Sequence, residues 1–234
     1  MRAMPAAAID HAAARQALAQ RLRGLYAVTP DVADTPELVA RVNAAVAGGA
    51  AAIQYRNKTA KATVRSMQAA ALARALAQSH VVFIVNDDPH LAAAVDAHGV
   101  HVGEDDGPLE SVRAIVGPGR LIGVSCYNDF SRAEAAVSAG ADYIAFGSFF
   151  ASSVKPGARR ADIALLQRAR GLGVPVVAIG GIDAHNAAAL MAAGADALAV
   201  ISAIFSERDS ESAARTLALA AQAPFHGSQS EHPR

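Results

Sequence analysis

The stretch Ser138-Ala139-Gly140-Ala141-Asp142-Tyr143-Ile144-Ala145 ends an Ala-rich helical segment on a glycine and passes, without a linker, into a short apolar strand. Glycine tolerates the left-handed backbone that closes a helix, so Gly140 reads as a helix end and Tyr143 as a strand start. The unit recurs as Ala192-Ala193-Gly194-Ala195-Asp196 before Leu198-Ala199-Val200, and as Val46-Ala47-Gly48-Gly49-Ala50 before Ile53. A shorter version is His98-Gly99 before Val100-His101-Val102. The repeated element is helix, then strand.

Outward from these repeats, apolar strands are expected at 25–28, 51–54, 81–85, 100–102, 121–124, 143–146, 176–179 and 198–201. Helix-length segments such as 37–47, 63–78, 132–139, 163–170 and 187–193 lie between them. Val81-Val82-Phe83-Ile84-Val85 is apolar throughout, as a parallel strand covered on both faces must be. Eight such units in 234 residues predict an α/β chain folded as a TIM (β/α)8 barrel, a single domain over residues 23–222. The competing architecture, a doubly wound open sheet, also alternates β and α but usually has fewer strands. Residues 1–20, within an extension expected to run to 22, carry Arg2, Arg15 and one acid, Asp10, a pattern faintly like a targeting helix. Ala, Gln, Leu and Arg are also plain helix formers, and an N-terminal helix before the first strand is the expectation. Residues 223–234, with Gly227, Ser228, Ser230 and Pro233, lack periodicity and are expected to form a flexible tail.

Composition narrows the partners. Hydrophobic residues make up 53% of the chain, ample for a large core, while 21 Lys plus Arg balance 21 Asp plus Glu. No global field favours nucleic acid or an acidic membrane surface, so an anion site has to be local and its ligand small. No apolar run reaches the roughly 18 residues of a membrane span. One cysteine, Cys126, forms no internal disulfide and fits a cytoplasmic protein. The sequence leaves a homo-oligomer open.

In such barrels the chemistry sits where strands end, and the polar residues collect there. Strand by strand these are Thr29-Pro30-Asp31, Arg56-Asn57-Lys58, Asn86-Asp87-Asp88, Gly103-Glu104-Asp105-Asp106, Ser125-Cys126, Gly147-Ser148, Gly180-Gly181 and Ser202. In Ile53-Gln54-Tyr55-Arg56, alternation puts Gln54 and Arg56 on one face. Arg56 then either pairs with a carboxylate or meets an anionic ligand, and Lys58 tilts the choice towards the anion. In Asn86-Asp87-Asp88-Pro89, Asp88 fits a helix N-cap and Pro89 the first helical position, which leaves Asp87 without a structural duty. Asp87 and Asp106, from neighbouring loops, could share one Mg2+, typically held by one or two carboxylates plus waters and phosphates. Asp106 could equally cap the next helix. Gly180-Gly181 and Val200-Ile201-Ser202 follow strands seven and eight, where backbone amides often cradle a phosphate. The long loop after strand six carries Ser152, Ser153 and Lys155 and suits a lid over an anion. His101 reads as a buried, hydrogen-bonded histidine and Cys126 as a packed residue without a nearby base.

At these residues the chain resembles thiamine phosphate synthase, also called thiamine-phosphate pyrophosphorylase, from about residue 25 to about residue 205. Gln54, Arg56 and Lys58 match the family's Gln-x-Arg-x-Lys motif, and Asn86 with Asp87 its Asn-Asp pair. Gly99, His101, Gly103 and Asp106 match its Gly-x-His-x-Gly-Gln-x-Asp segment, with Glu104 in place of the usual Gln. Gly123 and Ser125, then Gly180, Gly181, Ile182 and Ser202, match the motifs after strands five, seven and eight. The resemblance implies a transferase that joins 4-amino-2-methyl-5-hydroxymethylpyrimidine pyrophosphate to hydroxyethylthiazole phosphate, releasing pyrophosphate by a dissociative mechanism. It implies that Arg56, Lys58, Asn86, Ser125 and Lys155 hold the pyrophosphate, with Gln54 also at the substrate, and that Asp87 and Asp106 hold Mg2+. Gly181, Ile201 and Ser202, with Ser152 and Ser153, would hold the thiazole phosphate, and Arg56, Lys58, Ser125 and Lys155 would be the catalytic set. The family's Thr-x-Thr-Lys reads Ser152-Ser153-Val154-Lys155 here, so one hydroxyl is lost at Val154. The alternatives are a related barrel that tautomerises the thiazole phosphate and a non-catalytic regulator that binds it.

Overall fold

The computed structural model describes residues 10–151 and 160–222. Eight strands, β1 (Gly24–Val28), β2 (Ala52–Tyr55), β3 (Val82–Asn86), β4 (Gly99–Val102), β5 (Leu121–Tyr127), β6 (Tyr143–Gly147), β7 (Val176–Ile179) and β8 (Ala197–Val200), follow one another around a sheet. All neighbours are parallel, and β8 returns to β1 with Gly24 opposite Ala197, so the sheet closes into a barrel. Closure excludes the open doubly wound sheet and gives the expected TIM barrel. Ten helices are described: α1 (His11–Ala19), α2 (Thr35–Ala47), α3 (Ala62–Leu76), α4 (Pro89–Ala94), α5 (Leu109–Val116), α6 (Phe130–Ser138), α7 (Ala164–Ala169), α8 (Ala187–Ala193), α9 (Ser202–Phe205) and α10 (Ser210–Gln222). Nine lie between or after the strands, and α1 precedes them all. The stretch expected to form a tail, 223–234, lies outside the described residues.

Side-chain alternation sorts the strands into two cores. Leu25, Ala27, Ile53, Tyr55, Phe83, Val85, Val100, Val102, Ile122, Val124, Ile144 and Phe146 point outward and pack under the helices. Tyr26, Val28, Ala52, Val82, Ile84, Leu121, Tyr143, Ala145, Val177, Ala197 and Ala199 fill the interior. Size alternates with space: a Cβ on Gly123 would overlap the ring of Tyr143, so glycine on β5 is what admits the tyrosine from β6. Ala19 and Leu22, at the end of α1 and just beyond it, join the interior cluster and close the barrel's lower end. The N-terminal helix is thus a plug.

The repeated Gly-Ala-Asp has a second function besides ending helices. Asp142 donates its N–H to the Ile122 carbonyl at 2.8 Å and accepts the Ile122 N–H on its carboxylate at 2.8 Å. Asp196 does the same to Val176, at 2.7 and 2.9 Å. At the third seam His98 substitutes, its Nδ1 accepting the Phe83 N–H at 3.0 Å. Each clamp satisfies a backbone donor at the start of a strand that the parallel ladder leaves unpaired. Gly49, Gly140 and Gly194 all have positive φ, as helix-ending glycines should.

One strand exceeds its expected length. β5 continues to Tyr127 rather than stopping near 124, because its register against β6 shifts between Ser125 and Tyr127. That bulge adds a residue, and Cys126 still turns into the outer core, fully buried.

Asp142 also receives Arg15 Nε at 2.9 Å and Arg113 Nη2 at 2.6 Å, while Arg15 bonds the Pro118 carbonyl, so one carboxylate holds α1, α5 and the β5–β6 seam together. Its side chain is only 11% exposed. Asp142→Ala is therefore expected to cost about 2–3 kcal/mol in denaturant unfolding, because it strands two guanidinium groups and a strand N–H. Arg23, whose side chain is 64% exposed opposite Asp196, makes the contrast: Arg23→Ala should change stability by less than about 0.5 kcal/mol. Equal losses from the two substitutions would contradict this reading.

Candidate active site

The strands' carboxyl ends bring the polar residues to one rim. Alternation aims Gln54, Asn86, His101 and Ser125 into the barrel above the apolar layers, one from each of β2 to β5. Gln54 is buried, and its Nε2 donates to the Tyr26 hydroxyl at 2.9 Å. His101 is buried between two partners, with Nδ1 3.1 Å from the Tyr143 hydroxyl and Nε2 2.9 Å from Ser125 Oγ. This is the hydrogen-bonded interior histidine expected from the sequence. Burial lowers its pKa to about 4, against a small opposing pull from Asp87, and keeps it neutral.

Beyond β2 the chain is fixed from beneath so that its cations stay at the rim. Buried Asn57 donates to the Val32 carbonyl at 2.9 Å and to Gln68 Oε1 at 3.0 Å, and Tyr55 donates to that same oxygen at 2.8 Å. Thr29, fully buried, bridges β1 to β2 by donating to the Arg56 carbonyl and accepting the Arg56 N–H, both at 2.8 Å. Arg56 and Lys58 project from this anchored turn. Arg56 Nη1 lies 3.1 Å from Asp31, which also accepts the Lys58 N–H at 3.1 Å, and Lys58 Nζ lies 3.2 Å from Asp87. Arg56 thus has the carboxylate partner that one reading required, and its guanidinium stands partly exposed at the rim. Asp31 and Thr29 went unassigned by sequence reasoning, although both sit directly after a strand.

Of the two neighbouring aspartates, Asp88 has the capping duty expected of it. Asp88 caps α4 by accepting the Leu91 N–H at 2.8 Å, with Pro89 in the first turn. Asp87 adopts φ +62°, its N–H held by the His101 carbonyl at 2.8 Å, an uncommon backbone that leaves its carboxylate at the rim. Asp106 is not the cap of α5: that position is Pro108, which makes no side-chain capping bond, and Asp106 instead accepts the Gly103 N–H at 2.6 Å. Burial raises the Asp106 carboxyl pKa; the Gly103 N–H opposes this, and the charge and hydrogen bond of Asp87 add to it. Glu104 and Asp105 on the same loop are exposed.

On the other half of the rim, Gly180 and Gly181 have positive φ, and the space a side chain would take at either is filled by Ser148, Phe150 and Ala151 of the β6 loop. Their first duty is to let two loops meet, with Phe150 N–H donating to the Gly180 carbonyl at 2.9 Å. Asn186 steadies the same turn by donating to the Gly181 carbonyl at 3.0 Å. Ile201 precedes and Ser202 begins the one-turn α9, the short extra helix that follows β8 in phosphate-binding barrels. Ser152, Ser153, Val154 and Lys155 lie outside the described residues. Burial pushes the Cys126 thiol up to about 12, which suits a packed residue rather than a nucleophile.

Among the described residues no helix is long and apolar enough to cross a membrane. The thiamine monophosphate synthase family matches the chain over residues 25–204. The thiamine-phosphate synthase of Methylobacillus flagellatus is 54% identical over 194 residues, 83% of this chain and 93% of that protein. That of Thiobacillus denitrificans is 52% identical over 195 residues, covering 83% and 92%. Among solved structures, thiamine phosphate pyrophosphorylase from Pyrococcus furiosus superposes with a TM-score of 0.77 at 34% identity, over 88% of this chain and 98% of that one. Barrel, rim and sequence lead to one assignment: the chain belongs to the thiamine monophosphate synthase family.

Proposed function

We propose that this chain joins 4-amino-2-methyl-5-hydroxymethylpyrimidine pyrophosphate to hydroxyethylthiazole phosphate, forming thiamine phosphate and pyrophosphate in the cytoplasm. The observation that carries the site assignment is the cluster of Arg56, Lys58, Asp87 and Asp106 on three adjacent strand ends. Two carboxylates close enough to influence each other, beside a lysine, form a donor set that fits one hard divalent cation completed by phosphate oxygens and water. Bound there, Mg2+ would offset the charge that gathers on a departing pyrophosphate.

The side chains do the remaining work. Arg56, Lys58, Asn86 and Ser125, with Lys155, receive the pyrophosphate. The bond between the pyrimidine methylene carbon and the phosphate oxygen breaks with its electron pair on oxygen. The pyrimidine spreads the resulting positive charge, and the thiazole nitrogen lone pair forms the new C–N bond. No protein nucleophile takes part, which agrees with a high-pKa Cys126 and a neutral, fully bonded His101. Gly181, Ile201 and Ser202, on the opposite half of the rim, hold the thiazole phosphate, a role the family motif extends to Ser152 and Ser153, and both substrates are thereby held in line.

Incubating the protein with both substrates should give thiamine phosphate and pyrophosphate in a 1:1 ratio with Mg2+, and almost none in excess chelator. Undiminished coupling in chelator would reject the metal assignment, and no coupling with Mg2+ would reject the reaction.

The adjacent aspartates separate chemistry from folding. Asp87→Asn should lower kcat/KM by more than about tenfold, or roughly 1.4 kcal/mol, with the melting temperature nearly unchanged. Asp88→Ala should lower stability by about 0.5–2 kcal/mol through loss of its cap. Kinetics and thermal melts on the two proteins decide, and exchanged losses would reverse the roles.

A further inference from the structure

Five side chains from five strands form one continuous run of hydrogen bonds across the barrel interior. Gln54 Nε2 lies 2.9 Å from the Tyr26 hydroxyl, which lies 3.0 Å from the Tyr143 hydroxyl. The Tyr143 hydroxyl is 3.1 Å from His101 Nδ1, and His101 Nε2 is 2.9 Å from Ser125 Oγ. The run passes from β2 through β1, β6 and β4 to β5 and ends at the residue assigned to the pyrophosphate. Its three middle members are buried, Tyr26 1%, Tyr143 0% and His101 8% exposed, so water does not substitute freely for a missing partner.

Counting protons gives the run a direction. A phenol has one proton to donate, and a neutral imidazole has one donor and one acceptor nitrogen. All three are buried away from water, where a charged ring or phenolate is disfavoured, so each keeps that count. A phenol oxygen can accept twice, so the order is set by the requirement that each buried hydroxyl proton find an acceptor within the run; under it, the choice at one end fixes every other. With the Gln54 amide N–H pointing at Tyr26, Tyr26 donates to Tyr143 and Tyr143 donates to His101 Nδ1. His101 must then carry its proton on Nε2 and donate it to Ser125 Oγ. Ser125 accepts from below, and its own O–H is left to point at the rim. The reverse polarity would spend the Ser125 proton on His101 and turn a lone pair towards a phosphate oxygen, a repulsive contact.

We propose that Tyr26, Tyr143 and His101 are positioning residues that fix Ser125 as a hydrogen-bond donor to the substrate's pyrophosphate. The inference rests on the proposed reaction for the identity of the anion, but the polarity of the run is a property of the protein alone. It also gives the two interior tyrosine hydroxyls a task that packing does not explain, since phenylalanine would fill the same space.

The direct test is the tautomer of His101 in the unsubstituted protein, read from ring nitrogen and carbon-bound proton correlations in 15N-histidine-labelled material. The ring is recognised through its contact with Tyr143, 5.5 Å between centroids. A protonated Nε2 and an unprotonated Nδ1 are expected, and the opposite tautomer overturns the proposal. Because this needs no turnover, it stands apart from the fate of the coupling assay. The functional arm is a double-mutant cycle read in kcat/KM. His101→Asn alone should lose about ten- to hundredfold, the range of a hydrogen bond to a charged group, and should add little when Ser125 is already alanine. Losses that multiply would show His101 acting independently of Ser125 and overturn the proposal.

Discussion

In a closed barrel of parallel strands, every second side chain must enter a shared interior, and nothing else in the structure is free to choose which. That period-two rule stacks Val82, Ile84, Leu121, Ala145 and Val177 into the packed interior and, towards the carboxyl ends of β3, β4 and β5, places Asn86, His101 and Ser125 at its upper end. The catalytic half of the molecule is thus the last turn of a packing pattern. A one-residue slip in β4 would exchange His101 for Val102, so the clamps at the strand starts protect the site as well as the fold.

Those clamps show how a short repeat secures register. Asp142 grips Ile122, second in β5, and Asp196 grips Val176, first in β7, each by both backbone groups, and His98 grips Phe83 by one. Asp142 additionally ties in α1, whose end closes the lower barrel mouth. These clamps sit at the amino ends of the strands, and the carboxyl ends carry an uncommon backbone at Asp87 and a closely spaced carboxylate pair.

Much of this was legible from residue order because the signals are local. Gly with Ala on either side marked the helix ends, unbroken apolar runs marked the strands, and Asp88-Pro89 marked a capped helix. The Asp87 assignment followed by elimination once Asp88 had a duty. What stayed hidden depends on contacts that no local pattern encodes. Asp31 meets Arg56 only because β1 and β2 are neighbours, and the Tyr26 and Tyr143 hydroxyls meet across 117 positions of sequence. The close approach of the β6 loop to Gly180 and Gly181 was equally hidden, because two adjacent glycines do not say what lies against them. The extension of β5 to Tyr127 depends on a bulge, which shows in a ladder and not in a run of residues.

The central claim is that the rim is divided, with Arg56, Lys58, Asp87, Asp106 and Ser125 serving the pyrophosphate and the loops after β7 and β8 serving the monophosphate. Titration calorimetry with Mg2+ and inorganic pyrophosphate, and separately with hydroxyethylthiazole phosphate, on the unsubstituted protein and on Arg56→Gln tests it most directly. The division predicts that Arg56→Gln weakens pyrophosphate by about tenfold or more, at least 1.4 kcal/mol, and leaves the thiazole phosphate within about twofold. Equal weakening of both ligands, or of neither, would contradict it.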